Sequence, residues 1–279
     1  MFAKIAYTWE VMGSSWRVLK QDRELLLFAV LSMLACLIVM ASFAVPMYRT
    51  ENWQPPGEGA STEQQVMYYA TLFLFYFCNY FVITFFNCAI VACAVTRLSG
   101  GDPTFGEGMR AAVARLPQIV GWALISATVG LMLRIIEDRS EKVGQFVAGL
   151  LGMAWTMVSF LVVPVLVVER KGAFESLKKS TALLKRTWGE QIVGGFSFGG
   201  IGFLLCLPAG LLIVLGVLSG SIAVTVVCVG VGVFYLICVS LIMSTLRTIF
   251  QAAVYFYAEH GDAPAEFDAG LLAGAMQRK

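Results

Sequence analysis

Between residues 191 and 246 the chain carries no charged side chain. In lipid every backbone N–H and C=O of such a stretch must be satisfied internally, and helix is the form that does so without partners. At 1.5 Å per residue the stretch would extend about 84 Å as one helix, against a hydrocarbon core of about 30 Å. It must therefore turn. Ser219-Gly220-Ser221 is the only break of turn composition that leaves two crossing lengths, 191–218 and 222–246, the second with a helical extension to about 257.

Four more runs have crossing length: 25–48, 67–96, 119–136 and 143–168. With 58% hydrophobic and 14% charged residues and a mean hydropathy of +0.78, the composition lies outside that of soluble domains. The expected architecture is all-α and integral to the membrane, with residues 1–279 as a single polytopic domain of six transmembrane helices. The run at 25–48 exceeds the 7–15 residues of a signal-peptide core, so it is read as a span and not as a cleaved leader.

The connections are polar and rich in turn residues. Pro55-Pro56-Gly57 marks a loop over 49–65, Gly100-Gly101-Asp102-Pro103 marks a turn, and residues 134–142 read as a tight charged hairpin. Pro117 is expected to end a short helix over 105–116. Ten aromatics lie between Tyr68 and Phe86, enough to cover every face of a helix; lipid contact and interfacial anchoring account for them.

Three segments preceding pairs of spans have helical apolar spacing. Phe174, Leu177, Thr181, Leu184 and Trp188 share one stripe, and Phe2, Ile5, Trp9, Met12 and Trp16 repeat the same spacing; Phe105, Met109, Ala112, Val113 and Leu116 form a weaker version. Each reads as a cytoplasmic amphipathic helix, and the spans as three hairpins. Of the 20 Lys and Arg, 15 fall on the N-terminal side of the spans and 4 on the other, with Arg247 at the edge. The positive-inside rule then puts both termini in the cytoplasm, across the cell membrane.

The joints between units resemble one another. A polar amide, Asn87 or Gln251, precedes a turn, Gly101-Asp102-Pro103 or Gly261-Asp262-Ala263-Pro264, and then Phe105 or Phe267. A threefold internal repeat is the reading that unites these joints with the apolar stripes. With W-R-V-L-K-Q-D-R-E-L-L-L-F (16–28), A-F-E-S-L-K-K-S (173–180), I-F-Q-A-A-V-Y-F-Y-A-E-H-G (249–261) and F-D-A-G-L-L (267–272), the chain resembles a family of uncharacterised prokaryotic six-span integral membrane proteins, a domain of unknown function. The resemblance implies the six-span fold and carries no activity or catalytic residue.

No chemistry-bearing motif emerges from the residues. There are no paired acids within the spans, no Ser with a His partner, no metal-ligand spacing and no phosphate-binding loop. The expectation is a protein without catalytic activity, cofactor, metal or nucleic-acid partner. All seven cysteines sit in apolar runs, where small-residue packing explains them. Asp22, Glu24, Glu169, Glu175 and Glu190 stand beside basic residues and are expected to form local ion pairs, and His260 is expected in a solvated loop.

Two sets of candidate site residues follow. Arg170, Lys171, Lys178, Lys179, Lys185 and Arg186 are placed to contact anionic lipid headgroups, with ordinary positive-inside topology as the competing account. Asn79, Asn87, Arg247 and Gln251 are the intramembrane polar candidates; interhelical hydrogen bonds and snorkelling compete with a transport site. Gly195 and Gly199, and Gly216 and Gly220, allow close helix approach or a homo-oligomeric seam. The leading functional expectation is a membrane-organising, scaffolding or partner- and lipid-binding protein acting through its cytoplasmic helices. The alternative is a small-solute transporter or channel using the repeat interface.

Overall fold

A computed structural model describes residues 2–49, 61–139, 143–187 and 198–261, together with Pro264 and Phe267. All regular elements among the described residues are helices: α1 (Phe2–Gln21), α2 (Glu24–Arg49), α3 (Thr62–Leu98), α4 (Phe105–Val113), α5 (Leu116–Arg139), α6 (Val143–Val158), α7 (Val162–Val168), α8 (Ala173–Thr187), α9 (Phe198–Leu218) and α10 (Ile222–His260). Six stretches among them are long and apolar enough to cross a membrane: Glu24–Val45, Thr62–Leu98, Leu116–Asp138, Val143–Val168, Gly200–Leu218 and Ile222–His260. This is an all-helical membrane protein. The turn at Pro55-Pro56-Gly57, the side chains of Phe2, Ile5, Arg186 and Trp188, and residues Glu190 and Gly195 lie outside what the structure describes.

Helix ends account for most departures from expectation. Ser61 and Gln64 bond each other's backbone N–H at 3.3 and 3.1 Å, a reciprocal cap that starts α3 before the expected end of the loop at residue 65. Thr104 and Glu107 form the same device at the start of α4. Pro117 does not end the preceding helix. It occupies the first turn of α5, where its missing N–H would have had no partner anyway. The charged residues read as a tight hairpin instead continue α5 as far as Arg139, because Arg134 pairs with Glu137 at 3.3 Å and with Asp138 at 3.2 Å along one helix face. His260 is the last residue of α10 rather than a loop residue, exposed and stacked on Phe256 at 4.4 Å.

The largest difference is in span four, which is two helices. Regular α-helix stops at Val158 and resumes at Val162, with Ser159, Phe160 and Leu161 as the break. Pro164 lies in the first turn of α7, a position that tolerates the ring.

The chain forms two compact units: Met1–Ala29 with Ala94–Asp102 and Lys185–Lys279, and Val30–Cys93 with Pro103–Leu184. In the first, α1 packs on α10, and α9 packs along α10. A Cβ on Gly216 would lie 2.5 Å from Cys228 Cβ, and one on Gly232 would lie 2.9 Å from Ile213 Cγ1, so both glycines permit helix contact closer than any side chain allows. These pairings run in opposite senses along α9 and α10, which are therefore antiparallel. Gly220, at φ +68°, turns between them at the expected break. In the second unit α5 packs on α6, with Trp122 and Trp155 stacked at 5.5 Å, and Phe43 of α2 meets Phe75 of α3 edge-on at 5.6 Å.

Buried side chains are concentrated toward the C-terminal ends of the second, fourth and sixth spans. They are Cys88, Ala89, Ile90, Val91, Cys93 and Ala94 in α3; Leu161, Val162, Val165 and Leu166 in or just before α7; and Leu246, Ile249, Phe250, Ala252, Ala253 and Val254 in α10. After each of these ends stands a residue in the left-handed region: Gly100 at φ +84°, Arg170 at φ +57° and Gly261 at φ +80°. At the first, Gly101 N–H bonds Thr96 O and Gly100 N–H bonds Arg97 O, the paired closure that left-handed helix ends provide.

Candidate functional site

The segment with the six basic candidates is α8 and the turn before it. Its protein-facing stripe is Ala173, Ser176, Ser180 and Leu183, all buried, one residue out of step with the apolar stripe of the sequence. Phe174, from that apolar stripe, is 73% exposed, and Leu177, Thr181 and Leu184 are half-buried. Helix α1 divides its faces in the same way. Ser14, Ser15, Val18 and Leu19 are buried, whereas Trp9 is 62% exposed and Trp16 38%. In both helices the buried face includes a pair of serines, while Trp9, Trp16 and Phe174 are exposed.

The serine at the centre of α8 has a defined task. Ser180 Oγ donates to the Val158 carbonyl at 2.7 Å and accepts the Leu161 N–H at 3.1 Å. Those groups are freed by the break in span four, so α8 docks by completing a helix belonging to another element. Ser176 Oγ donates to the Lys171 carbonyl more weakly, at 3.4 Å. Gly121 keeps α5 near the start of α8, since a Cβ there would lie 3.4 Å from Ala173 Cβ.

The basic residues do not act as six equivalents. Glu169 pairs with Lys171 at 2.7 Å and also with Lys179. Arg170, Lys178 and Lys185 are exposed, and Arg186 lies outside the described side chains. A residue that sequence reasoning did not single out joins this group: Arg115, between α4 and α5, donates from Nε to the Val167 carbonyl at 3.2 Å. Burial, with the Arg170 charge adding to it, pushes the Arg115 guanidinium below its ordinary range. It nonetheless brings a cation to the carbonyl end of α7, where the helix dipole favours one. No feature of the sequence marks it, because its partner is a backbone group 52 residues away.

The intramembrane polar candidates divide between the two units, Asn79 and Asn87 in one and Arg247 and Gln251 in the other. Asn79 donates to the Phe75 carbonyl of its own helix at 2.9 Å, an intrahelical bond and not the interhelical one expected. Asn87 and Gln251 are half-buried; Arg247 is exposed. Among the described residues no group of three or more His, Cys, Asp or Glu side chains is arranged to hold a metal.

Asp22 departs most from expectation. Its partner is not local but Arg97, 75 residues on, whose Nε and Nη2 reach the two carboxylate oxygens, each at 2.5 Å. The Asp22 side chain is only 8% exposed and that of Arg97 19%, while Asp102, which also pairs with Arg97, is 91% exposed. The fork ties the α1–α2 corner to the last turn of α3. Arg115 makes the equivalent connection from the α4–α5 corner to the end of α7. Arg97 and Val167 each lie three residues before the left-handed residue that follows, Gly100 or Arg170.

Residues 66–265 match a family of unknown function, DUF6159. The chain belongs to DUF6159. The region characteristic of DUF6159 takes in the α8 cluster, Arg97, Arg115 and the four intramembrane polar candidates, whereas Asp22 lies before it. Two of the stretches that carried the sequence resemblance, 173–180 and 249–261, fall inside the match; 16–28 and 267–272 fall outside. No curated protein matches this DUF6159 member.

Proposed function

We propose that this DUF6159 protein is a non-enzymatic, membrane-organising protein of the cell membrane that engages anionic lipid headgroups, or a partner at that surface, through cytoplasmic amphipathic helices. The observation that carries this reading is the division of faces in α1 and α8. Ser14, Ser15, Val18 and Leu19 of α1 and Ala173, Ser176, Ser180 and Leu183 of α8 are buried, while Trp9, Trp16 and Phe174 stay exposed, where lipid can reach them. Interfacial Trp and Phe on one face with Lys and Arg beside them is the composition of a surface-lying helix.

The architecture belonging to this reading is three helical hairpins, each preceded by an interfacial helix, as a threefold repeat. In its support, Gly100, Arg170 and Gly261 end corresponding spans in the same backbone conformation and are followed within six residues by Phe105, Phe174 and Phe267. The corner connections of Asp22 and Arg115 match as well. The three phenylalanines differ in surroundings, Phe174 being exposed and Phe267 buried. Both termini and the α8 cluster lie in the cytoplasm on the Lys and Arg bias. Reporters after Lys279 or near Gly172 are expected to read cytoplasmic and an insertion near Gly57 external; an external C-terminus would overturn the orientation.

The pairing of Lys171 and Lys179 with Glu169 assigns the headgroup contact to Arg170, Lys178 and Lys185. Each exposed basic residue near an anionic surface is worth about 1 kcal/mol and fades with salt. Lys178→Gln with Lys185→Gln is therefore expected to lower hydrogen-exchange protection of 173–187 in bilayers containing phosphatidylglycerol and to leave it unchanged in phosphatidylcholine alone. Lys171→Gln with Lys179→Gln should show no such lipid dependence. If the first double variant behaves identically in the two bilayers, the basic residues serve topology only.

A further inference from the structure

The first unit contains a groove of about 390 Å³ between α1 and the helix pair α9–α10, within the size range of ligand pockets. Trp9, Met12 and Trp16 form one wall, and Leu205, Ile242 and Met243 the other. We infer that this groove holds an acyl chain of one anionic phospholipid whose phosphate lies at Lys20.

The chain half of the inference follows from position. One wall belongs to two helices of membrane-crossing length, Gly200–Leu218 and Ile222–His260, and the other to an interfacial helix that packs on α10. A groove open at that depth meets hydrocarbon. Leaving it empty would forfeit the dispersion contacts of its walls, and water finds no polar partners along an apolar lining. Trp9 and Trp16 remain substantially exposed even with α1 docked, so the groove opens to the lipid phase and is not sealed by the protein.

The headgroup half follows from charge. Lys20 Nζ stands 5.7 Å from the centroid of the Trp16 ring, one helical turn beyond the groove wall, and Arg23 is exposed in the corner that follows α1. A phosphate at the mouth of the groove would meet this cation while its chain lies against Trp16. A zwitterionic lipid brings its own ammonium to compete for the same phosphate; an anionic lipid does not. This site is separate from the α8 cluster and stands whether or not that cluster binds headgroups.

Gly13 supplies the test. A Cβ added there meets nothing within 4 Å, and Gly13 lines the groove, so Gly13→Leu fills the space while improving helix propensity in α1. The full chain, purified in mild detergent with equal phosphatidylglycerol and phosphatidylcholine, would be examined by native mass spectrometry for retained lipid. The wild type is expected to retain one phosphatidylglycerol preferentially, and Gly13→Leu to lose that adduct. Lys20→Gln should lower the preference about fivefold, the loss of one interfacial charge. Lys178→Gln with Lys185→Gln should leave the Gly13-sensitive adduct in place, which separates this site from α8. Equal retention by wild type and Gly13→Leu, as expected if a second copy of the chain fills the groove, would overturn the inference. An unchanged lipid preference in Lys20→Gln would overturn the headgroup assignment.

Discussion

Asp22→Asn is expected to destabilise the protein by roughly 3 kcal/mol, at the lower end of the range for breaking a buried ion pair by removing one partner. The change leaves the Arg97 guanidinium, only 19% exposed, facing a neutral amide in place of a carboxylate that took two of its donors. Asp102 still holds one nitrogen but is 91% exposed, so water screens what it offers, and it limits the loss without cancelling it. Asp102→Asn alone should therefore cost less than about 1 kcal/mol. Replacing the pair together, Asp22→Leu with Arg97→Met, should recover much of the loss, because an apolar pair leaves no orphaned charge. Thermal unfolding in nanodiscs reads all four proteins. A single Asp22→Asn variant within experimental error of wild type would mean that the corner is held by packing and not by the ion pair.

The second large effect is expected at Ser180. Ser180→Ala removes the acceptor for the Leu161 N–H and the donor to the Val158 carbonyl, leaving two buried backbone groups without that partner, at roughly 1–3 kcal/mol for an unsatisfied group. A loss of about 2–3 kcal/mol is expected, with faster amide exchange at Leu161 and through α8, since one hydroxyl serves both. Ser176→Ala, which loses a single 3.4 Å bond, should change stability by less than about 1 kcal/mol. If Leu161 exchanges no faster in Ser180→Ala, the break in span four is stabilised by its own packing, and α8 has no structural part in it.

These two residues also mark where sequence reading stops. The spans were legible because their signal is local: an uncharged run of sufficient length must become helix in lipid, and Gly220 supplied the positive φ where the longest run had to turn. The basic segment before span five was legible as a helix from a different local signal, the helical spacing of Phe174, Leu177, Thr181 and Leu184. Which of its faces meets protein was not, because Ser176 and Ser180 look like solvent-facing residues until their carbonyl and amide partners are known. Asp22 beside Arg23 invited a local pair, and the actual partner is set by chain topology that no periodicity encodes. Arg115 and the break at 159–161 involve backbone groups, which every residue carries alike. Among the basic candidates, the distinction between paired Lys171 and Lys179 and exposed Lys178 and Lys185 depends on where Glu169 ends up, a single carboxylate that the charge count treats like any other.

The long helix α10 has a mechanical consequence. Its 39 residues make a rod of about 58 Å. The part from Ile222 to Ser244 is mainly exposed and matches the thickness of hydrocarbon, whereas from Thr245 onward the helix is largely buried. A thinner or thicker bilayer is accommodated by tilt of the exposed part, and an unbroken helix passes that tilt to its buried end as a lever does. Span four is not one such rod, because regular helix stops at Val158 and resumes at Val162.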